Sequence, residues 1–173
     1  MSEALFFLID TVFGLVLSVF VLRAMLAFAG ASHLHPISQA IDKLTRPVVL
    51  PLRRVIPNTG RIEWASLLVI LVLECLQLVI LSLLMGSPLS PGFILFYALR
   101  NTVRLILKAY FFAVIAEVIL TWVQPFSPAT LLLEELVDPL MRPVRRLIPP
   151  LGNIDLTPIP VIIVLQFLLI LLP

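Results

Sequence analysis

The chain has 173 residues, of which 61% are hydrophobic and only 13% charged, with a formal net charge of +2. A soluble domain carries about 25% charged residues, so the composition excludes one and calls for an integral membrane protein. Cys75 is the single cysteine, which excludes an intramolecular disulfide and a cysteine-rich metal site.

The first ten residues, MSEALFFLID, lack a basic start and a small-residue cleavage site, so a removable secretory leader is not expected. Four stretches approach the ~20 apolar residues that one helical crossing requires: 11–31, 64–85, 105–123 and 154–172. After the first comes HPISQAIDKLTRP, with Pro36 suited to a first helical position. Its Ile37, Ala40, Ile41 and Leu44 follow helical spacing, which predicts a short amphipathic helix in the membrane interface. Pro47 is expected to stop that helix, and a second short or kinked helix is expected from Pro51, carrying Arg53 and Arg54. Pro57 and Gly60 supply turn chemistry before the second span. Beyond the third span, SPATLLLEELVDP repeats the pattern: Ser127 is a good N-cap, and Ala129, Leu132, Leu133 and Leu136 keep the spacing. Pro139 and Pro143, Arg145 and Arg146, then Pro149 and Gly152 follow in the same order. The fourth stretch opens with Pro158 and Pro160, tolerable in a first helical turn.

The second half therefore lies on the first at a shift of 92, which sets Pro139 on Pro47, Arg145 and Arg146 on Arg53 and Arg54, Gly152 on Gly60, and Asp155 on Glu63. Upstream a shift of 94 sets Glu117 on Arg23. The expected fold is all-α: four transmembrane helices in two repeats, residues 1–92 and 93–173, each with an interfacial amphipathic helix between its spans. An even number of crossings per repeat makes the two parallel, related by an axis along the membrane normal.

The doubled pattern of a Pro, a basic pair, Ile-Pro, a Gly and an acid ahead of a span resembles the YggT (YlmG) family of small bacterial and plastid membrane proteins. The resemblance covers nearly the whole chain; Glu63 stands where the second repeat has Asp155. It implies a four-span protein of two repeats with no established catalysis, expected in the bacterial inner membrane. It also implies links to osmotic tolerance and potassium uptake, to division, or to cytochrome assembly.

Charge within the spans demands partners, because an ionised group there costs at least ~2.5 kcal/mol. Arg23 and Glu74 count to similar depths, so an ion pair between them is expected, and the twofold relation brings Glu117 and Gln166 into the same cluster. The cluster serves either helix association or a proton or cation path. The same symmetry sets Asp10 opposite Arg104. Lys43, Arg46, Arg53, Arg54, Arg61, Arg142, Arg145 and Arg146 place the repeated segments on the cytoplasmic side by the positive-inside tendency.

No phosphate loop, zinc-protease motif or serine elbow is present, and His33 and His35 have no counterpart in the second repeat. The expectation is no enzyme, no cofactor, no metal and no nucleic-acid partner. The corners formed by Arg53, Arg54, Pro57, Gly60 and Glu63, and by Arg145, Arg146, Pro149, Gly152 and Asp155, grip lipid or dock a membrane protein, a second copy included. Two function classes stand: an interaction or assembly protein presenting these elements to a membrane complex or anionic lipid, and a small ion channel or transporter subunit.

Overall fold

The computed structural model describes residues 2–31, 35–86, 89–147 and 155–172. Six helices follow one another: α1 Ser2–Ala29, α2 Pro36–Val55, α3 Trp64–Leu84, α4 Pro91–Val123, α5 Pro128–Leu147 and α6 Pro158–Leu171. α1 and α3 are long and apolar enough to cross a membrane. Most of their surface is left uncovered by the rest of the chain, with Phe7, Leu15 and Val72 exposed, the reverse of a soluble core helix. α6 has 14 residues, about 21 Å at 1.5 Å per residue, against the ~30 Å hydrocarbon layer. The described helices thus give two spans by length and apolarity where the sequence predicts four.

α1 ends in a Schellman motif. Gly30 takes φ +69, its N–H donates to the Ala27 carbonyl at 3.2 Å, and the Ala31 N–H reaches back to Leu26 at 3.0 Å. α4 begins at Pro91 and runs 33 residues without a break, so residues 93–99 (FILFYAL), ahead of the predicted third span at 105–123, belong to the same helix.

The expected break at Pro47 is absent. α2 runs through Pro47 and Pro51 to Val55, and α5 runs through Pro139 and Pro143 to Leu147. Each proline removes one i→i−4 bond at a cost of ~3 kcal/mol or more. Pro47 and Pro51 lie one turn apart on an exposed side, while Thr45 and Val49 on the opposite side are sealed in the core, so packing holds the helix together through the interruption.

α1 packs against α3, α2, α4 and α5, and α4 against α3, α5 and α6. The core between them holds Val21, Val49, Ile70, Val114, Val137 and Met141, with Leu165 from α6. The last two turns of α1 and the start of α3 are thereby fixed beside α2, and the charged site forms at this junction.

Candidate functional site

The site is centred on the carboxylate of Glu63, at the N-cap of α3. Arg23, on the last part of α1, approaches it side-on: Nε donates to Oε2 at 3.0 Å and Nη2 to Oε1 at 3.2 Å. This two-point geometry is the strong form of the arginine–carboxylate pair. Arg53 Nη2, from the end of α2, reaches Oε1, and Ser66 Oγ donates to Oε2 at 2.5 Å. Four donors fill the carboxylate's acceptor sites. The remaining nitrogen of Arg23, Nη1, donates to Asp42 at 2.9 Å and to Thr45 Oγ1 at 2.6 Å. The Thr45 hydroxyl passes its own proton to the Ile41 carbonyl at 2.6 Å. The Glu63 side chain is 1% exposed and that of Arg23 9%. Burial pushes the Glu63 carboxyl up, but the hydrogen bonds from Ser66 and Arg23, the Arg23 charge and the Arg53 hydrogen bond outweigh it and hold the group below its ordinary value.

Gly60 makes the turn that delivers Glu63. Its φ is +63, and the Ile62 N–H donates to the Thr59 carbonyl at 3.2 Å across it. A Cβ at Gly60 meets no atom within 4 Å, so the backbone angle alone constrains the position. Gly60→Val is expected to cost about 1–2 kcal/mol, with Gly60→Asn costing less, as read from thermal unfolding in detergent. Pro57 lies exposed on the same corner.

The second corner repeats part of this arrangement in the open. Arg145 Nε and Nη2 donate to Asp155 Oδ2 at 3.2 and 3.0 Å, and the Thr157 N–H donates to Oδ1 at 2.8 Å. Burial raises the Asp155 carboxyl, but the hydrogen bond from the Thr157 N–H and the Arg145 guanidinium hold it below its ordinary value. Asp138 lies 2.5 Å from Arg142 and 3.9 Å from Arg145. Pro149 and Gly152 lie outside the described residues. Arg54 and Arg146, the outer member of each pair, are exposed.

The expected cluster of Arg23, Glu74, Glu117 and Gln166 does not assemble. Glu63 and Glu74 are eleven residues apart on one helix, about 16 Å, and Arg23 takes the acids at the end of the span, Glu63 and Asp42, in place of the one at its middle. Glu74 instead accepts from Asn101 Nδ2 at 3.3 Å. It lines a cavity of about 360 Å³ with Asn101, Arg104 and Lys108, and Gln166 lies beyond the same two cations in a second cavity of about 350 Å³. Glu117 belongs to the second corner, where Glu134, Arg145 and Asp155 are the charged groups that act on it. Asp10 accepts from Gln77 at 2.9 Å. Thr45, Ser66 and Asn101 were not legible as partners; the one signal was Ser66 three residues after Glu63, the spacing at which an N-cap acid and a helix hydroxyl meet. His35 lies 3.7 Å from Glu135, tying α2 to α5.

An acid paired with the inner arginine of a basic pair thus recurs in both halves of the chain, and both halves match one family in comparisons with known proteins. Residues 2–84 and 96–173 both match the CCB3/YggT family. The chain belongs to that family. Among its relatives, an uncharacterized protein of Vibrio alginolyticus is 38% identical over 93% of this chain and 89% of its own length. The uncharacterized protein YggT of Escherichia coli K12 is 36% identical over 94% of this chain and 86% of its own. An uncharacterized protein of Pseudomonas aeruginosa is 35% identical over 92% and 83%. No solved structure matches. Each of the two matched segments contains one corner: the first Arg23, Arg53 and Glu63, the second Glu117, Arg145 and Asp155.

Proposed function

We propose that this YggT-family chain is a non-enzymatic membrane interaction protein of four spans in two parallel repeats, seated in the bacterial inner membrane with its corners toward the cytoplasm. Its α2 binds anionic lipid headgroups and through them positions the corners for assembly with other membrane proteins. The carrying observation is that α2 has three distinct faces. Ser38, Ile41, Thr45 and Val49 pack inward. Ile37, Leu44, Val48 and Val55 are exposed and recur two turns, one turn and two turns apart, one apolar stripe along the helix. Lys43, Arg46 and Arg54 lie on a third, exposed face, which they share with Gln39 and Leu50 and on which no acid is exposed.

A helix with a core face, an apolar exposed face and a cationic face fits the plane where protein, acyl chains and headgroups meet. The inner arginine, Arg53, is bound to Glu63 and fixes the corner; the outer one, Arg54, is left for a ligand. An ion-conducting subunit has weaker support, since the polar cavity beside Glu74 carries two cations against one acid.

The test is lipid retention by the intact chain in native mass spectrometry from mixed micelles. Phosphatidylglycerol is expected to be held over phosphatidylcholine, and the triple variant Lys43→Gln, Arg46→Gln, Arg54→Gln is expected to weaken that preference about 100-fold, three charges at ~1 kcal/mol each. Equal retention by the variant, with an unchanged melting temperature, overturns the reading.

A further inference from the structure

The two corners differ in sign at one of four equivalent charged positions, and that position is at their centre. In the first, Arg23 and Arg53 face Asp42 and Glu63, two cations against two acids. The equivalent positions in the second are Glu117, Arg145, Glu134 and Asp155, one cation against three acids. Arg145 is already engaged by Asp155, and Arg142 by Asp138. Residues 148–154 contribute no charge. Glu117 is 7% exposed, and its Oε2 is buried with no hydrogen-bond donor among the described residues. Glu134 is exposed and the Asp155 side chain is 38% exposed, so the corner opens outward from a buried carboxylate.

We propose that the second corner is a binding site for a guanidinium-type cation, which takes, between Glu117, Glu134 and Asp155, the place that the Arg23 side chain fills in the first. The class follows from the chain itself. A planar group with several donors satisfies the equivalent acids in the first corner at 2.9 to 3.2 Å. Among the described residues no three acids, histidines or cysteines are grouped to hold a metal ion, so a larger, multidentate cation fits better than a divalent one. A buried carboxylate without a donor is costly, and a bound cation relieves that cost. The site is independent of the lipid reading of α2, which lies in the other repeat. The cation is either a free small guanidinium or an arginine side chain presented by another protein.

The experiment titrates the detergent-purified full chain with methylguanidinium chloride, with potassium chloride at matched ionic strength, and with an acetylated, amidated Gly-Arg-Gly peptide, following thermal unfolding by tryptophan fluorescence. Methylguanidinium is expected to raise the melting temperature saturably and potassium is not. Glu117→Gln is expected to abolish the response. Glu117→Arg, which rebuilds the first corner's charge pattern, is expected to be stabilised without ligand and indifferent to it. Glu134→Gln, at the exposed rim, weakens the response roughly fivefold and serves if the Glu117 variants fail to fold. A tighter response to the peptide identifies a protein-borne arginine, and an equal one a free cation; both support the site. No saturable response in the wild type, an equal response to potassium, or a full response in Glu117→Gln and Glu134→Gln overturns it.

Discussion

Glu63→Ala is expected to destabilise the protein by about 3–5 kcal/mol, the range for removing one partner of a buried ion pair, read as a lowered melting temperature in detergent. The carboxylate joins three helices: it receives Arg23 from α1, Arg53 from α2 and Ser66 from α3. Its loss leaves the Arg23 guanidinium, 9% exposed, with Asp42 and Thr45 as its only side-chain acceptors among the described residues. Arg23→Met is expected to cost a similar amount, because Glu63 is the more buried of the pair. The two changes share one network, so the double variant Arg23→Met/Glu63→Gln is expected to lose markedly less than the sum of the singles. Additive losses would mean that the two side chains act separately.

Acid is expected to destabilise the wild type more steeply than Glu63→Gln. The folded-state pKa of Glu63 lies below its ordinary value of 4.5, with the hydrogen bonds and charges around it overcoming burial. A carboxyl depressed in the folded state contributes stability that is fully present above the unfolded value and is lost as pH falls through the folded value. The loss therefore begins near pH 4.5 and deepens below it. Asp155, also depressed, titrates in the same direction but is more exposed and contributes less. Glu63→Gln starts from lower stability at pH 7 and follows a flatter curve between about pH 5 and 3. Parallel curves for the two proteins would show that the Glu63 carboxylate does not stabilise the fold.

The sequence carried the positions of α2 and α5 well, because helical spacing and the shift of 92 are local or one-dimensional signals, whereas of its four predicted spans the described helices give two by length and apolarity. α2 and α5 each span 20 residues at that offset. It carried the proline positions badly: Pro47 and Pro51 read as breaks when only propensity is weighed, and the tertiary packing of Thr45 and Val49 decides otherwise. The need for a buried partner for Arg23 was legible from cost alone. Its identity was not, because depth counted along a helix says nothing of the helix's rotation, and a long arginine side chain runs toward the polar end of its span. The charge inversion between Arg23 and Glu117 was visible in the alignment. What it leaves unmatched emerged only when Arg145 was found paired with Asp155.

The unbroken course of α2 through Pro47 and Pro51 sets a waterline. Neither proline offers an N–H, so the carbonyls of Lys43 and Pro47 lose their donors from the next turn. Hydrocarbon cannot replace those donors, whereas the hydrated headgroup zone can. In the proposed seating of α2 at a lipid surface, those two oxygens must therefore face the hydrated side, which limits how deep the helix can sit.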